Sequence, residues 1–434
     1  MKPIKNQDSN TTTDLTPQCI HCGLCLQSCP TYVELGKEAD SPRGRIYLMQ
    51  AQQKGKLDVQ GSFAQHISAC LDCRACESAC PSGVPYGHLI ENARELVEKQ
   101  LHRPWPVRML RRYIFEFVFS SPRKLRFHFD LLRLYQRTGL QKLVRSSGLL
   151  KLFPGHFSKL EQLLPDLTLK NNRIKIGSIF KPKVSVHHRV GLLTGCVMNE
   201  LFGSIHRATI RVLQLNGCEV VVPKSQVCCA ALHSHAGIAS TAKQMAKKNI
   251  EAFEKAGVDK IIVNAAGCGA KLKEYDSLLE QDPEFKSRAQ TFSQKVVDIS
   301  EFLYDLPSLS PPGPFHARVA YDDPCHLLHA QRIDQAPRGL LKRIPELQLV
   351  ELQNPDQCCG SAGIYNITQH DLSMRILKRK IEDIENCSPT ILATGNAGCL
   401  IQISYGLNMA NLPKIRVMHP IEILDQAYSA SSKS

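Results

Sequence analysis

The sequence predicts a multi-domain α+β protein: a helical N-terminal domain around two four-cysteine loops, a basic helical linker, and two duplicated cysteine-rich α/β domains. Three observations predict it. The run C-x2-C-x2-C-x3-C-P occurs twice, at Cys19, Cys22, Cys25, Cys29 and at Cys70, Cys73, Cys76, Cys80. Residues 101–189 hold 19 Lys and Arg against four acids. From residue 190 onward, cysteine landmarks return at offsets of 129, 130 and 131. The domains that follow are 1–100, 101–189, 190–310 and 311–434.

The opening stretch MKPIKNQDSNTTTDLTP has no apolar core of the kind a secretory signal needs. Disulfide-dense proteins are short and secreted because they lack a sufficient core. With 434 residues, 43% of them hydrophobic, this chain builds its cores without staples. Its 18 cysteines are therefore read as reduced, cytosolic and ligand-like.

The spacing of the two N-terminal runs selects iron over zinc. Structural zinc sites draw their ligands from two separated pairs, whereas C-x2-C-x2-C-x3-C-P is the bacterial ferredoxin run for [4Fe–4S] clusters. Three thiolates at i, i+3 and i+6 cap three corners of one cube, and the fourth, ahead of proline, reaches the other. Cluster one then takes Cys19, Cys22, Cys25 and Cys80; cluster two takes Cys70, Cys73, Cys76 and Cys29. Gly23 lets the first loop approach its cluster, and Pro30 and Pro81 remove competing amides. Between and after the runs, PRGRIYLMQA reads as a Gly-containing turn entering a helix, and His88 to Gln100 as a second helix.

The segment 101–189 carries a net charge of +15, so the rest of the +14 chain is near neutral. MLRRYIFEFVF and KLRFHFDLLRLYQR read as amphipathic helices, followed by a loop around Asn171 to Lys183. Two readings stand: a solvated linker whose aromatics pack on a neighbouring domain, or a contact surface for anionic lipid or an acidic partner. In the second, Met109, Tyr113, Val118, Leu125, Phe129 and Leu132 form the apolar face. No nucleic-acid module accompanies the charge, and no run of about 18 apolar residues spans a membrane.

From Val190 the chain repeats. VGLLTGC, QVCC and IIVNAAGC return as RVAYDDPC, QCC and ILATGNAGC, which defines a duplicated domain. Within each copy β-branched runs (VGLL, EVVVP, KIIVN; ARVAY, LQLVEL, TILATG) alternate with helical stretches, the mark of a small unit with a largely parallel sheet. Cysteines fall just past the strand ends: Cys196, Cys228, Cys229, Cys268 in one copy and Cys325, Cys358, Cys359, Cys399 in the other. Neighbouring cysteines close poorly into a disulfide. Packing as small hydrophobes suits Cys218 and Cys387, which stand outside the pattern, better than it suits the repeated four. The eight are candidate ligands of a metal or further iron–sulfur site, or a redox-active thiol set. His326 and His329 invite a metal reading as well.

The paired runs, PRGRIYL, and the two Cys-Cys-Gly-type repeats resemble the iron–sulfur subunit of bacterial glycolate oxidase, a glycolate dehydrogenase. LDCRACESACPSGVPY, GCGAKLKEY, CCGSAGIY and HPIEILDQA fit that subunit's pattern over nearly the whole chain. The repeats are also similar to those of heterodisulfide reductases, anaerobic glycerol-3-phosphate dehydrogenase and lactate-utilisation proteins. Ala230 stands where the family motif has glycine, whereas Gly360 is kept. Heterodisulfide reductases end each repeat in Cys-x-x-Cys; here the first of those positions is Ala265 or Asn396.

There is no G-x-G-x-x-G after a strand, no P-loop and no nucleophile–base pair, so no catalytic residue is assigned to this chain. Oxidising a hydroxy acid needs a flavin or nicotinamide. The resemblance implies FAD on partner subunits that oxidise glycolate to glyoxylate, with this chain passing electrons toward a quinone or membrane acceptor. The reduced thiols imply a cytoplasmic protein, and the anionic-lipid reading of residues 101–189 would place it peripherally on the cytoplasmic face of the inner membrane. The alternatives are a heterodisulfide-reductase-like or lactate or glycerol-3-phosphate dehydrogenase subunit, or a C-terminal half that is a docking scaffold.

Overall fold

The computed structural model describes residues 18–148, 161, 167, 173–182 and 184–431. The polar N-terminal stretch, Asn171 and Lys183 lie outside them. The chain divides into two compact units, Met1–Leu101 and His102–Ser434.

The first unit is helical. Pro30 opens the helix Pro30–Leu35 directly after Cys29, where its missing N–H is no loss, and Gly36 ends it at φ 63°. Ser41 caps the helix Pro42–Gln53, its Oγ accepting from the Gly44 N–H at 3.0 Å. The PRG triplet is therefore the first helical turn and not a turn ahead of the helix. Its glycine answers to packing: a Cβ at Gly44 would lie 1.9 Å from the Glu38 carbonyl oxygen. The helix Tyr86–Gln100 completes a core of Ile46, Met49, Phe63, Ile67, Leu89 and Ile90. Each such side chain contributes about 1.5–3 kcal/mol on burial.

The second unit begins with Trp105–Arg112, which runs into a wider π-type stretch, Tyr113–Val118, and then Pro122–Arg137 and Leu140–Ser146. Two sheets follow. The first has β1 (Ile179–Phe180), β2 (His188–Leu192), β3 (Cys218–Val221), β4 (Lys260–Val263) and β5 (Val296–Asp298), in the order β1-β3-β2-β4-β5. The second has β6 (Ala317–Tyr321), β7 (Leu347–Val350), β8 (Ile391–Ala393) and β9 (Arg416–Met418), in the order β7-β6-β8-β9. All pairings are parallel except β1 with β3. Edge strand β1 lies inside the segment expected to be a loop; its two residues pair with Val220 and Val221.

Duplication is visible in the register. Val190 of β2 faces Val220 and Lys260, and Val319 of β6 faces Leu349 and Ile391. Both copies contribute to one core, with Leu192 and Val212 packed in the same cluster as Val319, Leu341 and Ile423.

Candidate functional site

In the first unit the two thiol loops share a backbone. Two and four residues after the first cysteine the chain turns left-handed: His21 (φ 55°) and Gly23 (φ 86°) in one loop, Asp72 (φ 56°) and Arg74 (φ 63°) in the other. Alternating left-handed residues turn successive N–H groups inward, a concavity suited to an anion. The Asp72 N–H lies 3.3 Å from Cys70 Sγ, and the Tyr86 hydroxyl 3.7 Å from the same sulfur.

Cys29 leaves the first loop on the Pro30 helix and lines one cleft with Cys70, Cys73 and Cys76. Its Sγ lies 3.2 Å from Thr31 Oγ1. All four of these cysteines are buried, whereas Cys22 is exposed and Cys19, Cys25 and Cys80 are half-buried. Burial pushes the Cys76 thiol well above its ordinary value, and the neighbouring Cys73, Cys70 and Cys29 add to the effect. Thiols crowded into a dry cleft resist ionising alone and suit a thiophilic, positively charged metal core.

In the second unit each repeat brings its four cysteines into one chain of sulfur contacts. The first runs Cys196, Cys228, Cys229, Cys268, with Cys228 donating to Cys196 Sγ at 3.2 Å and Cys229, beside Cys228, accepting from Cys268. The second runs Cys325, Cys358, Cys359, Cys399, with Cys359 donating to Cys399 Sγ at 3.5 Å and Cys358, beside Cys359, accepting from Cys325. These donated bonds hold the central thiols, Cys229 and Cys358, well below the ordinary thiol range. Cys268 and Cys399 each occupy the first turn of a helix, Ala266–Lys273 and Ala397–Met409. A preformed set of four soft donors fits a metal or iron–sulfur site. His326 Nδ1 lies 3.5 Å from Cys325 Sγ, while burial pushes His329 below its ordinary value.

The Cys-Cys loops are held by residues that spacing does not reveal. Asn249 accepts from the Val227 N–H and donates to the Cys228 carbonyl, and Tyr275 donates to the Cys229 carbonyl. In the second repeat the buried Lys380 donates to the Asn354 and Pro355 carbonyls and pairs with Asp322 at 2.8 Å. Asn249 and Lys380 stand 131 residues apart, the offset of Cys268 and Cys399, so they were within reach of the repeat alignment. Ala230 adopts φ 68° against φ 83° at Gly360, keeping the family turn at a strain of about 1–2 kcal/mol. Gly360 has no such freedom, because a Cβ there would lie 2.7 Å from the Ser373 carbonyl oxygen. Asn396 accepts from the Gly267 N–H of the other repeat and lies 3.5 Å from Cys399 Sγ, occupying a position where heterodisulfide reductases have a thiol.

The linker closes over the first of these sets. Phe119, Pro122 and Leu125 line a cleft with Cys196 and Cys228, and the His233 Nε2–H donates to the Phe115 carbonyl at 2.9 Å. Val118 and Leu125, expected on an outer apolar face, are buried here instead. The outward face carries Trp105, Met109, Leu110, Phe127, Leu131 and Leu134.

Paired four-cysteine loops and two cysteine-rich α/β repeats define a multi-domain iron–sulfur protein. Residues 16–84 match the 4Fe-4S dicluster domain, and residues 190–273 and 319–404 match the cysteine-rich domain. Residues 106–164 match the linker region of the glycolate oxidase iron-sulfur subunit. The chain is 41% identical over 421 residues to a probable glycolate oxidase iron-sulfur subunit of Bacillus subtilis, covering 94% of this chain and 93% of the relative. The glycolate oxidase iron-sulfur subunit of Escherichia coli is 33% identical, again covering 94% and 93%. A fumarate reductase (CoM/CoB) subunit of Methanothermobacter marburgensis is 29% identical over 98% of this chain and 75% of its own length. A hypothetical protein from Helicobacter pylori shares the fold at a TM-score of 0.52 and 12% identity, over 93% of this chain and 71% of that one. The chain belongs to the family of glycolate oxidase iron–sulfur subunits.

Proposed function

We propose that this chain is the electron-transferring subunit of a flavin-dependent glycolate oxidase. FAD-binding partner subunits oxidise glycolate to glyoxylate, and this chain relays the electrons one at a time toward a quinone-level acceptor. Cys19, Cys22, Cys25 and Cys80 hold one [4Fe–4S] cluster, and Cys70, Cys73, Cys76 and Cys29 hold the other. Bound clusters supply one-electron storage, at potentials set by their charge, hydrogen bonds and exposure. The chain's own groups do the rest. Left-handed loop residues turn amides inward, Thr31 and Tyr86 lie against sulfurs, and the exposed Cys22 keeps one loop at the surface. One observation carries the reading: Cys29, from the first run, sits in the cleft of the second.

In the second unit the two four-thiol sets hold a further iron–sulfur or metal site. The basic outward face of the linker rests on the anionic cytoplasmic face of the inner membrane, bringing the protein to a quinone pool without a spanning helix. Among the described residues no helix is long and apolar enough to cross a membrane.

Reconstitution tests the division of labour. The isolated chain is expected to show no glycolate oxidation with dyes or quinone, and adding the flavin subunits is expected to restore it. Turnover of glycolate by the isolated chain sinks the proposal. The similarity to the CoM/CoB-named relative favours a second reading, a thiol–disulfide reductase using the C-terminal sets. Turnover with a small disulfide, lost in Cys228→Ser or Cys358→Ser, would select it.

A further inference from the structure

The PRGR motif sends one arginine to each thiol loop. Arg43 reaches the first: its guanidinium donates to the His21 carbonyl at 3.3 Å, is partly exposed, and pairs with Glu38 at 2.6 Å. Arg45 reaches the second, and it stands first by volume among the fully buried side chains of the described residues. It lines the cleft with Cys29, Cys70, Cys73 and Cys76. Its Nε–H donates to the His66 carbonyl at 2.8 Å, and both terminal nitrogens donate to Thr31 Oγ1 at 3.1 Å. Thr31 is the residue that lies against Cys29 Sγ.

The carboxylate nearest Arg45, that of Asp40, stands off at 3.5 Å and makes its shorter contact, 2.8 Å, with His66 Nδ1. Two other arginines near this loop are differently placed, Arg74 pairing with Glu77 at 2.9 Å and Arg94 with Asp72 at 3.3 Å. Arg45 is thus a buried cation whose short bonds all go to neutral oxygens. Its one carboxylate partner, Asp40, is buried with it at 3.5 Å and shared with His66, so it neutralises a costly buried charge only in part. A further negative charge in the cleft that Arg45 lines would complete that neutralisation.

We propose that Arg45 is the counter-charge of the second cluster and raises its reduction potential. The inference rests on the ligation by Cys29, Cys70, Cys73 and Cys76 proposed above. One-electron reduction adds one negative charge, with no bond made or broken; the electron comes from reduced flavin in the complex and from dithionite in the test. In a dry cleft that added charge is penalised, so burial alone would leave the second cluster hard to reduce. The first cluster, with Cys22 at the surface, has solvent for this purpose. A fixed guanidinium offsets the penalty and keeps the buried cluster within reach of its neighbour.

An anaerobic redox titration of the full chain, following both clusters by electron paramagnetic resonance, tests this. Arg45→Met is expected to lower the second cluster's potential by at least a tenfold change in its reduction equilibrium, 59 mV for a one-electron couple. The first cluster's potential is expected to stay. Arg45→Lys is expected to recover most of the shift, and Asp40→Asn to move the second cluster the opposite way. An unmoved potential in an iron-replete Arg45→Met chain overturns the inference, as does an equal shift of both clusters. Where Arg45→Met fails to hold iron, Asp40→Asn decides: no shift, or a downward one, overturns it. Iron analysis of the wild type separates the two claims. A chain lacking the second cluster overturns the ligation and the inference together, whereas full iron with an unmoved potential overturns the inference alone.

Discussion

Pro30 fixes φ immediately after Cys29 and starts a helix there, and this turns Cys29 away from its own loop toward Cys70, Cys73 and Cys76. Purified without oxygen, the chain is expected to carry about eight irons in these two sites. Cys29→Ser is expected to damage the second cluster's spectrum more than the first's, although the residue sits in the first run. Loss of the first cluster with the second intact would refute the crossed ligation. The thiols were legible in the sequence because their spacing is a local code. Their supporting residues were not, because they act at long range: Arg45 meets His66 across 21 residues, and Tyr86 meets Cys70 across 16. Ala230 shows the converse, a departure from the family motif that the backbone absorbs by adopting the glycine-like turn.

The linker helices divide their faces between the fold and the outside. Apolar spacing foretold helices over MLRRYIFEFVF and KLRFHFDLLRLYQR, which fall on the end of Trp105–Arg112 with Tyr113–Val118 and on Pro122–Arg137, but not which apolar side turns inward. Phe115, Val118 and Leu125 are buried, while Arg111, a member of the basic stretch, donates to the Ala236 carbonyl at 3.2 Å. Arg108, Arg112, Arg123, Arg137 and Lys142 stand in the same basic stretch, alongside outward apolar side chains. Each contributes up to about 1 kcal/mol near an anionic surface, falling off beyond a Debye length. Changing these five to Gln is expected to release the protein from anionic vesicles, with moderate salt mimicking the variant and iron content unchanged. If the wild type ignores anionic vesicles at low salt and the variant loses its flavin partners, the face is a protein-docking site. Strands β1, β5 and β9, of two or three residues each, are too short for a period-2 pattern to register; the equally short β8 was legible only through the repeat of IIVNAAGC as ILATGNAGC.

Duplication organises the larger unit, and beside their shared apolar core the two copies meet through a buried histidine network. Asn264 donates to His206 Nδ1 at 3.0 Å, and its carbonyl accepts from His419 Nε2–H at 3.0 Å. The remaining ring nitrogens are occupied too, His206 Nε2–H by the Thr194 carbonyl and His419 Nδ1 by the Ile421 N–H. Burial pushes His206 down to about 4 and His419 down to about 3. Both lie below the unfolded value of about 6.5, so the unfolded chain binds more protons between these limits. This stability is complete above pH 6.5 and is lost as pH falls toward 4 and then 3. By pH 5 the loss is about 2 kcal/mol per histidine. Thermal melts at pH 7 and pH 5 are expected to show it, with a shallower pH dependence in His206→Gln; an unchanged dependence would dissociate His206 from the effect. The offsets of 129 to 131 made the duplication legible, but the histidine network was not, since His206 and His419 occupy no matched repeat position. Central to the proposed function is that glycolate's electrons reach this chain from another polypeptide. The direct measurement mixes the anaerobic protein with glycolate, with and without the flavin subunits, and follows the cluster signals by electron paramagnetic resonance. The expected result is no reduction in the isolated chain and reduction of both clusters once the flavin subunits are present. Clusters reduced by glycolate in the isolated chain, or left oxidised while the assembled complex turns glycolate over, would contradict it.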